Sequence, residues 1–120
     1  MELIVIVLLV VLIPSSLLLI VSAMQAKSGT LKMNNFLGIR TVETMRSEET
    51  WTVAHKACAP TLMAAGVIGL LLAAGMVWSA FTKPEWMYYF TGAYVVVVSG
   101  GVILAGQQAK KAVKEMDTRA

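Results

Sequence analysis

The stretch of sequence that decides the fold is ACAPTLMAAGVIGLLLAAGMVWSAF, residues 57–81, which carries no charged side chain. Comparable runs at residues 3–23 and 87–109 flank it, and neither contains a charged residue. A helix that crosses a bilayer needs about 20 predominantly apolar residues. The three runs therefore predict an all-α membrane protein with transmembrane helices over about residues 3–23, 60–81 and 87–108.

The composition agrees with a membrane protein. Of the 120 residues, 58% are hydrophobic and 14% are charged, whereas a soluble domain is nearer half apolar and a quarter charged. We expect one domain, residues 1–120. The first run is expected to remain as a span, because a signal peptide starts with a basic segment and this chain starts with Met1-Glu2.

The basic residues predict the orientation in the membrane. Cytoplasmic loops carry an excess of Lys and Arg. The connection between the second and third spans has only Lys83, whereas the first loop, residues 25–56, and the C-terminal tail are rich in basic residues. We therefore expect the N-terminus outside, with the first loop and the C-terminus in the cytoplasm. The net charge of +3 indicates attraction to anionic lipid rather than a nucleic-acid interface.

The first loop holds most of the polar chemistry of the chain. Asn34-Asn35 favours a turn, because Asn side chains bond to nearby backbone groups. Gly38 precedes Ile39-Arg40-Thr41, where a close backbone approach or a positive φ would require glycine. Arg40 has two open interpretations. It either holds the loop in shape, through carbonyls or through Glu43, Glu48 or Glu49, or it contacts lipid phosphate or a partner.

The end of this loop predicts a short amphipathic helix at the cytoplasmic surface. Ser47 is a favourable N-cap, and two glutamates follow it in the first turn. Trp51, Ala54, His55 and Cys58 then share one face at helical spacing. We expect Trp51 to dip into the interface. A continuation into the second span near Pro60 is left open by the pattern.

Small residues predict how the spans pack. The second span carries a stripe at four-residue steps, Thr61, Ala65, Gly69 and Ala73, and the third span carries Gly100 and Gly101. Small residues allow helix backbones to approach closely in a membrane. Because the connection of the two spans is short, they are expected to form a tight hairpin. The same stripe is equally compatible with a homo-oligomer or with a larger membrane partner.

The residues do not predict catalysis. The spans contain no Asp, Glu, Lys, Arg or His at their centres, which disfavours a proton relay or ion pathway. His55 and Cys58 are the only histidine and cysteine, and a zinc site needs several such ligands at defined spacing. We therefore expect no enzyme activity, no cofactor and no metal site.

The loop resembles that of the SdpI family of small bacterial membrane proteins. The resemblance rests on Asn34, Gly38-Ile39-Arg40-Thr41, Thr44, Ser47, Trp51 and His55, with one span before the loop and two after it. The family takes its name from immunity to a secreted antibacterial peptide toxin. The resemblance therefore implies a protein of the bacterial inner membrane that protects against a membrane-active peptide or envelope stress. The namesake proteins are longer, with additional spans, so this chain corresponds to a minimal three-span unit.

A second function is compatible with the same sequence. The chain is then an accessory or assembly subunit, docked on a larger membrane complex through its glycine-rich second and third spans. In either function, the loop motif is the predicted site of contact with a partner or lipid. Its residues are Asn34, Gly38, Arg40, Thr41, Ser47, Trp51 and His55.

Overall fold

Three long helices make up most of the protein. The computed structural model describes residues 2–34 and 37–119, and places α1 at Glu2–Ser28, α2 at Glu48–Thr82 and α3 at Met87–Arg119. Single 3-10 turns lie at Thr44–Arg46 and Pro84–Trp86. All three helices are long and apolar enough to cross a membrane. This confirms the all-helical fold with three candidate spans. The predicted turn residue Asn35 and its neighbour Phe36 lie outside the described residues.

The separate amphipathic helix between the first two spans is not found, and that prediction is corrected. Residues 48–58 are instead the first turns of α2, which continues through Pro60 to Thr82. Proline deletes one backbone hydrogen bond, but the buried face made by Ala54 and Cys58 continues in Leu62 and Ala65. Packing of this continuous face against the rest of the chain keeps the helix whole.

The first turn of α2 is closed by a reciprocal capping box. Ser47 Oγ accepts the N–H of Thr50 at 3.1 Å, and Thr50 Oγ1 accepts the N–H of Ser47 at 2.9 Å. Ser47 is therefore the N-cap that the sequence predicts. Glu48 and Glu49 follow in the first turn, where negative charge is favourable. The box fixes the point at which the loop enters α2.

Helix α2 is the centre of the bundle and packs on both other helices. A Cβ built at Gly101 of α3 would lie 2.7 Å from Ala65 Cβ, and one built at Gly66 would lie 3.1 Å from the Ser16 carbonyl oxygen of α1. Glycine at these positions is what permits the close helix approach. Thr61, at the loop end of the stripe, donates to Gln108 Oε1 at 2.7 Å. The small residues of α2 thus serve contacts within the chain, including a contact with α1 that the predicted hairpin did not contain.

The two outer helices are joined by one buried tyrosine. The Tyr94 hydroxyl of α3 donates to the Leu12 carbonyl at 2.8 Å and lies 2.8 Å from Ser16 Oγ of α1. A Cβ at Gly69 of α2 would lie 2.9 Å from Ser16 Oγ and 3.2 Å from the Tyr94 ring. Gly69 therefore makes the room in which this hydrogen bond forms, and Ala73 is buried one turn further along.

Candidate functional site

A tight turn at the end of α1 starts the loop. Gly29 has φ +77, a left-handed conformation that costs glycine least. The Thr30 N–H donates to the Gln25 carbonyl at 2.9 Å and the Gly29 N–H donates to the Ala26 carbonyl at 3.3 Å, which is the Schellman helix ending. The turn sends Leu31 back onto the bundle, where its side chain is buried.

Trp51 anchors the first part of the loop to α2. Its side chain is 0% exposed, and its Nε1–H donates to the Leu31 carbonyl at 2.9 Å. Ala26, Leu31 and Ala59 bury the indole in one small cluster. The expectation that Trp51 dips into the membrane surface from an interfacial helix is replaced by this contact, because the indole lies within the protein.

His55 clamps the middle of the loop with both ring nitrogens. Its Nε2 accepts the N–H of Ile39 at 2.8 Å, and its Nδ1 lies 2.8 Å from the Trp51 carbonyl, to which it donates. The ring also lies against the indole, with 4.1 Å between centroids. Because Nε2 accepts a backbone hydrogen bond, His55 fits this site only in its neutral form.

Gly38 allows this clamp to close. It has φ +92, and a Cβ there would lie 2.5 Å from His55 Nε2. Both the backbone conformation and the space therefore require glycine at this position. The sequence predicted a close approach or a positive φ at Gly38, and the structure has both.

The neutral state of His55 gives stability a dependence on pH. His55 precedes the span at 60–81, and burial lowers the pKa of its side chain, while the hydrogen bond to the Trp51 carbonyl opposes that shift. A folded-state pKa below the unfolded value means that the stabilisation is present above about pH 6.5 and is lost as the pH falls through the folded pKa.

We expect the thermal unfolding temperature of the detergent-solubilised protein to fall when the pH is lowered from about 7.5 to about 5.5. The variant His55→Gln has no side chain that titrates in this range, so its unfolding temperature should change much less. An equal decrease in both proteins would assign the pH dependence to groups other than His55.

Thr44 ties together the second part of the loop. Its side chain is fully buried, its Oγ1 donates to the Ile39 carbonyl at 2.8 Å, and it accepts the N–H of Thr41 at 3.0 Å. The Thr44 carbonyl in turn accepts from Thr50 Oγ1 at 3.1 Å. These bonds join the Ile39 segment to the capping box of α2. Thr41 is half-buried as part of this network.

Asn34 closes the earlier turn of the loop. Its Nδ2 donates to the Lys32 carbonyl at 2.8 Å, and its Oδ1 accepts the N–H of Leu37 at 2.7 Å. The amide thus bridges the backbone on both sides of residues 35–36. This is the local backbone bonding that makes Asn favourable in turns.

An ion pair joins the loop to the end of α3. Arg46 donates to both carboxylate oxygens of Asp117, at 3.0 and 2.6 Å. The hydrogen bond from Arg46 lowers the pKa of Asp117, and the same bond raises that of Arg46. Both side chains are about half exposed. The pair was not predicted, because nothing in the sequence indicates which basic residue meets a carboxylate 71 positions away.

Arg40 points away from this framework. Its side chain is exposed and makes no hydrogen bond or ion pair with any of the described residues. The sequence left open a pairing with Glu43, Glu48 or Glu49, and the structure does not form it. Val42 beside it is 88% exposed. Arg40 and Val42 therefore form an outward-facing tip, which we call the loop tip.

The polar groups of the loop fall into two sets: an inner set of buried groups that are hydrogen-bonded within the protein, and an outer set of exposed groups. Within residues 2–34 and 37–119, every buried side-chain nitrogen and oxygen has a hydrogen-bond partner. The same residues contain no cluster of three His, Cys, Asp or Glu side chains able to hold a metal. The inner set is a hydrogen-bonded scaffold. Several charged side chains of the loop are exposed, and the loop tip is the place where an exposed guanidinium lies next to an exposed apolar side chain.

Three apolar helices with a folded, hydrogen-bonded polar loop define a small multi-pass membrane protein. A family model described as the SdpI/YfhL protein family matches residues 30–105, from the start of the loop to the loop-proximal part of α3. The chain belongs to the SdpI/YfhL protein family. Comparisons with curated proteins and with solved structures give no match.

Proposed function

We propose that this protein is a non-enzymatic immunity-type membrane protein, which protects its membrane against a membrane-active peptide or envelope stress. Membership of the SdpI/YfhL family supports the immunity type. The observation that carries the proposal further is the loop tip, because an exposed guanidinium and an exposed valine stand together on a loop whose buried polar side chains are all satisfied within the described residues.

In the proposed orientation the loop faces the cytoplasm of a bacterium. Basic residues crowd the loop end of the bundle, and the opposite connection carries only Lys83. The hydrogen-bonded scaffold holds the loop tip in one geometry, which reduces the ordering cost of binding. The Arg40 guanidinium would pair with a carboxylate of the peptide or with a lipid phosphate, for which its planar fork is well suited.

Removal of the Arg40 guanidinium is expected to abolish protection while leaving the protein in the membrane. Sensitive cells that express the wild type should survive a panel of membrane-active peptides better than cells with an empty vector. Cells that express Arg40→Ala should die like the vector control, at equal protein levels in the membrane fraction. The buried scaffold does not use Arg40, so its loss should leave folding intact.

The matched control is Lys32→Ala, which removes one positive charge from the same loop at an exposed position. It should protect like the wild type. Protection by Arg40→Ala at the wild-type level would show that the loop tip has no role. A wild type that protects against no peptide in the panel would overturn the immunity function itself.

One observation favours the alternative function, an accessory subunit of a larger membrane complex. Gly92 and Gly100 of α3 are exposed, and a Cβ at either would meet nothing within 4 Å. Gly100 is one of the predicted helix-packing residues, and the sequence left open whether its partner helix lies in this chain or in another. An outward face with small residues suits close contact with another protein's helix.

Gentle detergent extraction followed by native electrophoresis tests the accessory function. Migration of the chain in a larger complex would support it, and migration as a free monomer would contradict it.

A further inference from the structure

A groove runs between α1 and α2 at the loop end of the bundle. It has a volume of about 740 Å³. Ala23 of α1 and Ala59 of α2 line it and are buried, so its floor is made of short side chains. Met63 and Val67 continue the lining along α2. The groove therefore passes from the loop end into the apolar span.

The length of the groove corresponds to one leaflet of a bilayer. Lys56 and Val67 mark its two ends on α2, and at 1.5 Å per residue they are roughly 16 Å apart along the helix. Half of the hydrocarbon core is about 15 Å. Val67 and Ala64 are exposed, so the groove is open towards the lipid. These dimensions fit one extended acyl chain.

Two lysines stand at the mouth of the groove. Lys27, in the last turn of α1, and Lys56 of α2 both line it, and both are exposed. Neither forms an ion pair with any of the described residues, and none of the described residues lining the groove is acidic. The mouth of the groove is therefore positively charged.

The turn at Gly29 keeps Lys56 at this mouth. A Cβ built at Gly29 would lie 3.1 Å from Lys56 Cε and 3.4 Å from its Nζ. The side chain of Lys56 thus rests against the bare backbone of the turn. The last carbonyls of α1 lie in the same turn and favour a cation there, and Lys27 lines the same mouth.

We propose that this groove binds one anionic phospholipid, with an acyl chain against Ala59, Met63 and Val67 and the phosphate between Lys27 and Lys56. The apolar lining, the length of one leaflet and the paired positive charges together match this ligand. The acyl chain of a zwitterionic lipid fits the apolar lining, but its headgroup is attracted less strongly to the mouth, because its own cationic group is repelled by the two lysines. The site is independent of the loop tip and of the proposed immunity function.

Native mass spectrometry of the full chain tests the site. The protein is reconstituted in vesicles of equal parts phosphatidylglycerol and phosphatidylcholine, extracted gently, and its bound lipid is identified. The wild type should retain phosphatidylglycerol in preference. In the double variant Lys27→Gln/Lys56→Gln this preference should fall roughly thirtyfold, because both lysines contribute to the attraction of anionic headgroups.

The matched control is Lys111→Gln/Lys114→Gln, which removes two exposed charges on α3 away from the groove. It should keep the preference. Equal loss in both double variants, or no loss in either, would overturn the site.

A second variant, Ala64→Phe, fills the groove from an exposed position and should reduce retention of both lipids. If Ala64→Phe instead separates a dimer and leaves lipid retention unchanged, the groove is a contact between two copies and the proposal fails.

Discussion

Gly38→Ala is expected to open the loop while leaving the three helices in place. The substitution puts a side chain at φ +92 and within 2.5 Å of His55 Nε2. The first effect is backbone strain of about 1–3 kcal/mol. The second effect displaces a buried histidine, whose neighbours on that side are the Trp51 ring and the backbone of the loop itself.

The displacement of His55 adds to the strain, because it breaks a buried hydrogen bond. The Ile39 N–H loses its acceptor, and a buried donor without a partner costs about 1–3 kcal/mol. The free energy of loop opening should therefore fall by about 2–6 kcal/mol, which corresponds to at least roughly thirtyfold faster amide exchange. Hydrogen exchange of the peptide that contains Ile39, measured by mass spectrometry, reports this directly.

The control is Gly106→Ala in α3, where a Cβ meets nothing within 4 Å. This variant makes the same chemical change on a helix, where alanine is favourable, and the exchange of Ile39 should equal that of the wild type. Wild-type exchange at Ile39 in Gly38→Ala would contradict the clamp. Faster exchange throughout all three helices would show that the loop and the bundle unfold as one unit.

The sequence predicts the spans well, because their signal is local and large. Long uncharged runs suffice to place three helices, and Ser47 is a favourable N-cap in any context. Gly38 could be predicted for a similar reason, since glycine allows a positive φ or a close backbone approach that other residues do not. These features depend on residues adjacent in the chain.

The features that sequence analysis missed depend on residues distant in the chain. The sequence predicts only that His55 shares a helix face with Trp51, whereas the structure shows that its Nε2 also accepts from Ile39, sixteen positions away. Tyr94 meets Ser16 across 78 positions. The sequence left open whether the helix that begins after Ser47 continues through Pro60 into the second span, and the continuous buried face of α2 decides that it does. In each case tertiary contact decides what the local pattern leaves open.

Trp51→Ala is expected to produce the largest loss of global stability among the aromatic positions of the loop end. The indole is fully buried, and truncation of a buried Trp to Ala costs about 3–5 kcal/mol. The indole joins the Leu31 segment to α2 and packs against one face of the His55 ring. The substitution removes both contacts. The unfolding midpoint, measured by titration with a denaturing detergent, should fall accordingly.

Two further variants separate the contributions of packing and hydrogen bonding to the stability lost in Trp51→Ala. Trp51→Phe keeps most of the ring but removes the Nε1–H, so the Leu31 carbonyl loses its donor and the loss should be about 1–3 kcal/mol. Trp78→Ala removes the same side chain where it is 47% exposed and 5.7 Å from the Trp86 ring, so its loss should be much smaller. If Trp78→Ala destabilises the protein as strongly as Trp51→Ala, aromatic area in the bilayer interface, rather than the anchored loop, determines stability. If Trp51→Phe is as stable as the wild type, the contribution of Trp51 is packing alone and the bond to Leu31 does not hold the loop.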